Sequence, residues 1–380
     1  MQIDTFTHHL KSGWSVAQFP ELDSPDTLVL VFGSPDYIDN AAAIEELTAA
    51  YPNSHCIGCS TAGEIYGADI NDSSLSVTVV RFDKSEVRST STKVAASDES
   101  YHAGQHLADD LARDDLRALF VLSNGTSING SELVRGLVDH LPASVVVTGG
   151  LAGDGDRFER TWVLNGKRLG LDYVCAVGFY GDHVRVGHGS KGGWDVFGPK
   201  RQVTHAAGNV LYELDGRPAL DLYKEYLGDL AADLPSSALL FPLALSTDQG
   251  DEKSIVRTIL SIDEEANSLT FAGDIHNGSY AQFMKANFDR LINGANEAAL
   301  MTSENGCSGD QPTLSIAISC VGTRLVLGER TEEELEAALE VLPPGVKQIG
   351  FYSYGEISPY TDGTCELHNQ TMTLTTIQEA

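Results

Sequence analysis

The chain has 380 residues, which is enough for two domains of ordinary size, and 42% of its residues are hydrophobic. Its 54 acidic and 25 basic residues give a formal net charge of −29, so binding to nucleic acid or to an anionic membrane surface is disfavoured. No stretch approaches the ~18 apolar residues of a membrane span and the first residues do not resemble a secretion signal, so we expect a cytoplasmic protein.

The same succession of a strand, a helix, a second strand and a glycine-rich loop occurs three times. Short apolar runs predict the strands, a spacing of 3.6 residues predicts the helices, and proline closes each helix. The units run from TLVLVFG (27–33) to loop 1, GCSTAGEI (58–65), from RALFVLSNG (117–125) to loop 2, GGLAGDG (149–155), and from TLSIAISC (313–320) to loop 3, GFYSYGEI (350–357). Each unit therefore has the pattern of a βαβ crossover.

Loops 1 and 3 share the frame G-x-x-x-x-G-E-I. Because the shared frame lies inside a repeated unit, we interpret it as a sign of common backbone geometry. Each loop follows the carboxyl end of a strand, which is where open α/β sheets bind ligands.

Antiparallel strands are predicted around the units. DSSLSVTVVRF (72–82) and NQTMTLTTIQ (369–378) alternate small hydroxyl and apolar residues, as half-buried strands do. RTWVLNGKRLG (160–170) predicts a hairpin with Asn165 and Gly166 at its turn, continued by two further strands. We expect mixed sheets with helices on one face.

The stretch 209–237 has a helical pattern on both sides of residues 216–218 and is the predicted boundary between a domain of residues 1–208 and a second of residues 209–380. In the second domain, two strands joined by the turn DEEAN are predicted over 254–275. The predicted fold class is α/β with mixed sheets: two modules built from related βαβ units with added antiparallel strands.

The glycine loops are the predicted ligand site, because glycine lets a ligand approach the main chain closely. Each loop carries an acid and no lysine or arginine, which disfavours phosphate and suits an ammonium group, as in an amino acid or an amine. Alternatively, Glu64 and Glu356 hold only the loops themselves. The predicted ligand-binding residues are Gly58, Cys59, Ser60, Thr61, Gly63, Glu64, Gly149, Gly150, Gly153, Asp154, Tyr354, Gly355, Glu356, His368 and Asn369.

Cysteine and histidine chemistry provides alternatives. Among six cysteines only Cys56 and Cys59 have the C-x-x-C spacing of a zinc or redox site, and Cys307 and the other three do not. Neither a second C-x-x-C pair nor a close pair of histidines is present to complete a zinc site. A cysteine-dependent enzyme using Cys59 stays open, although no hydrolase motif is present. Noncovalent haem needs one axial ligand, for which His188, at the end of an apolar strand, is the best candidate and His368 the second.

Several segments resemble the FIST sensory proteins, with amino-terminal and carboxy-terminal modules. They are loop 1, GGLAGD, the stretch 193–228, ISCVGTRLVLG (318–328), and GFYSYGEISP with ELHNQTMTLTTI, and the resemblance covers about residues 26 to 378. It implies a non-enzymatic signal-input protein for small ligands such as amino acids. Because the resemblance uses the whole chain, such a protein would signal through a separate partner such as a histidine kinase or a cyclic-di-nucleotide enzyme. Some stand-alone members are haem-based nitric oxide sensors, for which His188 would be the ligand.

Overall fold

The computed structural model describes residues 1–247, 254–306, 311–360 and 363–380. Cys307 lies outside these ranges. Within them, no helix is both long and apolar enough to cross a membrane.

Three units follow one another along the chain, and the third contains a long insertion. The first comprises β1 (Gln2–His9), β2 (Gly13–Trp14), β3 (Thr27–Gly33), α1 (Ala42–Ala50), β4 (His55–Ser60), β5 (Glu64–Tyr66), β6 (Asp69–Asn71) and β7 (Ser74–Arg81). The second comprises β8 (Glu86–Lys93), α2 (Ser100–Leu111), β9 (Leu116–Ser123), α3 (Gly130–Val138), β10 (Val146–Leu151), β11 (Val163–Asn165), β12 (Arg168–Gly170) and β13 (Tyr173–Tyr180).

The third unit begins with β14 (Val184–Gly192). The insertion then comprises β15 (Trp194–Ala207), β16 (Val210–Leu214), β17 (Arg217–Pro218), α4 (Ala219–Leu227), β18 (Leu243–Ser246), β19 (Ile255–Arg257), β20 (Ile259–Asp263), β21 (Ser268–Phe271) and β22 (Tyr280–Ala286). The unit resumes with α5 (Phe288–Asn305), β23 (Thr313–Cys320), α6 (Val321–Leu327), α7 (Thr331–Leu339), β24 (Lys347–Ser353), β25 (Gly355–Pro359), β26 (Cys365–His368) and β27 (Thr371–Glu379).

Each unit builds a sheet with the same strand order. The two crossover strands pair in parallel, as β3 with β4, β9 with β10 and β23 with β24. The first crossover strand then pairs antiparallel with β7, β13 or β27, beyond which lies β1, β8 or β14. The predicted α/β fold, with mixed sheets of related βαβ units and added antiparallel strands, is confirmed.

The units exchange their hairpins in a closed cycle. The hairpin β5–β6 of the first unit pairs with β24 of the third, β25–β26 of the third pairs with β10 of the second, and β11–β12 of the second pairs with β4 of the first. Each glycine loop is therefore the segment that crosses from one sheet to the next. The exchange makes the three sheets one body, because each needs a hairpin from another unit.

The three sheets share an inner core, and helices cover their outer faces. Phe32, Phe120 and Phe351, one from each unit, belong to this inner core, and the rings of Phe32 and Phe351 lie 4.7 Å apart. Helix α1 covers the first sheet with Leu47. The expectation of helices on one face is confirmed, but β7 and β27 are not half-buried: almost every residue in both is buried, because their hydroxyl-bearing face is covered as well.

The insertion forms a separate sheet of eight strands with its own core, which includes Leu211, Tyr223 and Phe283. The expected strand before the DEEAN turn is divided at Thr258 into β19 and β20, which pair with different strands, and the expected strand after the turn is β21. The expected helix after residue 218 is α4. The expected helix before it is wrong, since Val210–Leu214 is the strand β16. Asp215 and Gly216 have φ of 53° and 72° and make a two-residue turn into β17, which matches hairpin geometry.

Candidate functional site

The carboxyl group of Glu64 holds loop 1 from within. Its Oε1 accepts a hydrogen bond from the Thr61 hydroxyl, and its Oε2 accepts from the backbone N–H and the hydroxyl of Ser74 at 3.0 and 2.7 Å. Glu64 is 1% exposed, and burial raises its pKa to about 7 although these hydrogen bonds oppose the shift. Its oxygens therefore tie loop 1 to the start of β7.

Loop 3 repeats this arrangement at Glu356. Oε1 accepts from the Ser353 hydroxyl at 2.6 Å, and Oε2 accepts from the backbone N–H and the hydroxyl of Thr371 at 3.3 and 3.0 Å. Burial raises the pKa of Glu356 to about 8. Ser73 and Gln370, which precede the two partner residues, share a positive φ of 60° and 63°. The common G-E-I frame thus encodes one local structure twice.

Loop 2 and the segment after it fold around Asp154. Oδ2 of Asp154 accepts from the backbone N–H groups of Glu159 and Arg160 at 3.0 and 2.8 Å, while Oδ1 accepts from the N–H of Phe158 at 3.0 Å and from the Tyr354 hydroxyl. The Tyr354 ring stacks on Phe158 with 4.3 Å between centroids. Because Tyr354 belongs to loop 3, it ties that loop to loop 2.

The three loops meet through their backbones. The N–H of Gly153 donates to Ser60 O at 3.0 Å, the N–H of Ala62 donates to Tyr352 O at 2.8 Å, and the N–H of Tyr352 donates to Gly63 O at 2.9 Å. A Cβ at Gly153 would lie 2.9 Å from the Ala62 nitrogen, so glycine is needed for this approach.

A crevice of about 240 Å³ opens where loops 1 and 2 meet, and we call it the loop crevice. It is lined by Ser34, Pro35, Asp36, Thr61, Ala62, Gly63, Glu64, Asp72, Ser73, Asp154, Gly155, Asp156, Arg157 and Arg324. Its predicted site residues are Thr61, Gly63, Glu64 and Asp154.

Arg324 of α6 places a partly buried guanidinium at the loop crevice. Its guanidinium donates to Ala62 O, and to Oδ1 and Oδ2 of Asp72 at 3.0 and 2.8 Å. It packs so closely on Gly63 (φ 138°) that a Cβ there would lie 2.4 Å from Nη1. The Arg324 side chain is 24% exposed and that of Asp72 is 70% exposed. Sequence reasoning missed Arg324, because 262 residues separate it from Ala62 and no local pattern connects them.

Several glycines expected in the loops lie in strands instead. Gly58, Cys59 and Ser60 belong to β4, and Gly149 and Gly150 to β10, because parallel pairing continues to the last residue of each strand. A Cβ at Gly58, Gly149 or Gly350 would lie about 2 Å from the carbonyl oxygen of the parallel neighbour. These glycines therefore serve close strand packing. Gly355 and Glu356 likewise begin β25.

His368 and Asn369 line another cavity, of about 360 Å³, together with Trp194. Nε2 of His368 donates to Ser358 O at 2.9 Å, and burial lowers the His368 pKa to about 4, so the ring is neutral. Asn369 donates to Tyr354 O at 3.3 Å. These two predicted site residues are thus next to loop 3 but outside the loop crevice.

His188 does not lie at a strand end as expected, but in the middle of β14, a strand of nine residues. The strand continues because β27 pairs along its whole length. The neighbouring Gly187 and Gly189 pack against backbone carbonyls of α5. Burial lowers the pKa of His188. The haem alternative stays a prediction.

Cys56 and Cys59 point to opposite faces of β4, because an odd separation in a strand reverses the side-chain direction. Cys56 lies in the core under α1, and Cys59 lies in the inner core with Cys175. Cys59 is completely buried, and burial raises its pKa well above the ordinary value. This environment offers no reactive thiolate. In the described part of the chain, no three His, Cys, Asp or Glu residues are grouped to hold a metal ion.

Two family models match this chain. Residues 27–217 match the FIST N domain, and residues 219–359 match the FIST C domain. The chain belongs to the FIST family, whose domains are sensor domains of signal transduction and are not known as catalytic. The boundary between residues 208 and 209 stays a prediction.

An uncharacterized protein of Methanocaldococcus jannaschii is 26% identical to this chain over 270 residues, which are 63% of this chain and 50% of that protein. The chain therefore spans about half the length of this relative.

Proposed function

We propose that this protein is a non-catalytic sensor that binds a small amino-acid-like molecule in the loop crevice and signals through a separate partner, such as a histidine kinase or a cyclic-di-nucleotide enzyme. The observation that carries the proposal is the position of Arg324. Its guanidinium and the carboxylate of Asp72 face the same crevice, at the meeting point of segments from all three units.

The charges suit a ligand that bears both a carboxylate and an ammonium group. A guanidinium binds a carboxylate through two parallel hydrogen bonds, the arrangement it already makes with Asp72. A ligand carboxylate that replaced Asp72 would release this exposed side chain. Asp72, together with Asp36 and Asp156, would then be available to the ligand's ammonium group.

Such an exchange would alter a contact between two units. Arg324, on α6 of the third unit, holds the first unit through Asp72 and Ala62 O, and the ligand would replace the contact with Asp72. A ligand that interacts differently with the held and released arrangements shifts the equilibrium between them, and this differential affinity is what a sensor reports to a partner.

A thermal-shift screen of the natural amino acids, followed by calorimetric titration of those that stabilise the protein, tests the proposal. A ligand at a hundred times its dissociation constant stabilises the folded state by about 2.7 kcal/mol. Arg324→Gln should weaken binding at least about tenfold, because one charge-assisted contact contributes roughly 1.5–3 kcal/mol.

Arg330→Gln is the matched control, since Arg330 is also an ion-paired arginine of this region but does not line the loop crevice. Its affinity should equal that of the unaltered protein. Unchanged affinity in Arg324→Gln, or stabilisation by none of the amino acids, contradicts the proposal.

A further inference from the structure

A cavity of about 310 Å³ lies between α3, the inserted sheet and β26, apart from the loop crevice. We call it the Arg257 cavity. Its apolar lining is provided by Val134 and Val138 of α3 with Leu245 and Ile255 of the inserted sheet. Its polar lining includes Arg257 and Ser131 together with the acids Glu132, Asp274 and Glu366. The cavity therefore combines apolar side chains with a buried guanidinium.

Arg257 is 3% exposed, and all the acceptors of its guanidinium are uncharged. Nη1 donates to Leu367 O at 2.9 Å and to Val256 O at 3.4 Å, Nη2 donates to the Ser131 hydroxyl at 3.2 Å, and Nε donates to the backbone carbonyl of Asp274 at 3.5 Å. In the ranges that the structure describes, no carboxylate forms an ion pair with Arg257.

Among the described residues, Arg257 is a buried guanidinium with no carboxylate in an ion pair, and burying such a charge costs free energy that uncharged acceptors offset only in part. Burial lowers the pKa of Arg257, while the charges of Glu366 and Asp274, which also line the cavity, oppose that shift. A ligand carboxylate beside Arg257 would supply the opposite charge that its hydrogen-bond acceptors lack.

Glu132 and Asp274 also line the Arg257 cavity, and their negative charges would repel a bound anion. This repulsion is reduced at Glu132. Burial raises the pKa of Glu132, and the neighbouring Asp274 adds to the shift while Arg135 counteracts it. Asp274 is also held by the Asn129 amide at 2.6 Å. The negative charge of Glu132 is thus disfavoured at the rim of the Arg257 cavity.

We propose that the Arg257 cavity binds a small monocarboxylate with a short branched apolar chain, the carboxylate resting on Arg257 and Ser131 and the chain on the apolar wall. The site goes beyond the proposed function, because it is independent of the loop crevice. It joins α3 of the second unit to the inserted sheet, so an occupant would couple the insertion to the rest of the molecule.

Calorimetric titration with three probes of the same branched body tests the proposal: isovalerate, isoamyl alcohol and isoamylamine. Isovalerate should bind to one site, the alcohol at least about tenfold more weakly because it lacks the charge-assisted contact, and the amine not at all. Absence of isovalerate binding, or an amine that binds as tightly as the carboxylate, overturns the proposal.

Two variants locate the site. Arg257→Met should abolish isovalerate binding. Val138 is 36% exposed, and Val138→Trp should reduce isovalerate binding, because the larger side chain fills the apolar side of the cavity while Arg257 stays in place. The second variant decides the question if the first does not fold. Arg330→Gln, at a position that lines neither the Arg257 cavity nor the loop crevice, should bind isovalerate normally. Normal binding in Val138→Trp, or in folded Arg257→Met, overturns the assignment.

Discussion

Glu356→Gln and Glu356→Ala together test whether the carboxyl group of loop 3 is neutral in the folded protein. Glu356 is fully buried, and its partners are two hydroxyl groups and one backbone N–H, none of which carries a charge. Glutamine preserves the shape and one acceptor oxygen without the ability to ionise. Alanine removes the acceptors altogether.

The expected magnitude follows from the raised pKa. A rise from 4.5 in the unfolded chain to about 8 in the folded protein corresponds to a stability contribution on the order of 5 kcal/mol. The folded state keeps a proton that the unfolded state releases, so this contribution is present at low pH and is lost as the pH rises from 4.5 to about 8.

Glu356→Gln lacks this titration. Its free energy of unfolding should therefore rise relative to that of the unaltered protein by about 1.4 kcal/mol per pH unit, and the difference should level off above about pH 8. Glu356→Ala should be less stable than Glu356→Gln at every pH by about 3–5 kcal/mol, because three donors lose their acceptor and a cavity remains.

Urea unfolding followed by circular dichroism, at several pH values across this interval, measures both differences. The pKa of Glu64 is also raised by burial. Because Glu64 is present in the variants and in the unaltered protein, its titration cancels when their free energies of unfolding are subtracted. A difference between Glu356→Gln and the unaltered protein that is independent of pH, with glutamine as destabilising as alanine, would refute the reasoning, since the site would then require an anion.

Three further predictions concern residues of loops 1 and 3. Gly63→Ala should lower the thermal unfolding midpoint more than Gly67→Ala. A positive φ costs alanine about 1–2 kcal/mol at either position, but only at Gly63 would the added Cβ also meet a guanidinium, that of Arg324. Equal shifts would contradict this. Cys59, which is completely buried, should react with a thiol reagent only at the rate of unfolding, and rapid reaction in the native state would contradict this. Tyr354→Phe should cost about 1–3 kcal/mol and speed proteolysis after Asp154, because the hydroxyl that holds this segment is removed; an unchanged cleavage rate argues against that role.

Local sequence patterns were sufficient for the repeated units. The spacing of apolar residues distinguishes strands from helices, and proline marks helix ends. At the predicted hairpin, Asn165 ends β11 and pairs with Arg168, and Gly166, with φ of 60°, begins the two-residue turn between them. Local sequence did not decide between two roles for Glu64 and Glu356, which could bind a ligand or support the loops. It did not distinguish β16 from a helix, because the turn at Asp215 and its neighbour and the pairing with β15 decided that segment.

The sequence by itself thus determined which segments become βαβ units and where glycine loops follow them. Only the tertiary structure decided that the units exchange hairpins, that β7 and β27 are buried on both faces, and that Arg324 reaches loop 1 while Arg257 meets Ser131. These contacts join segments more than a hundred residues apart. Their partners are selected by packing of the whole chain, and side-chain periodicity within a segment contains no information about which distant surface will cover it.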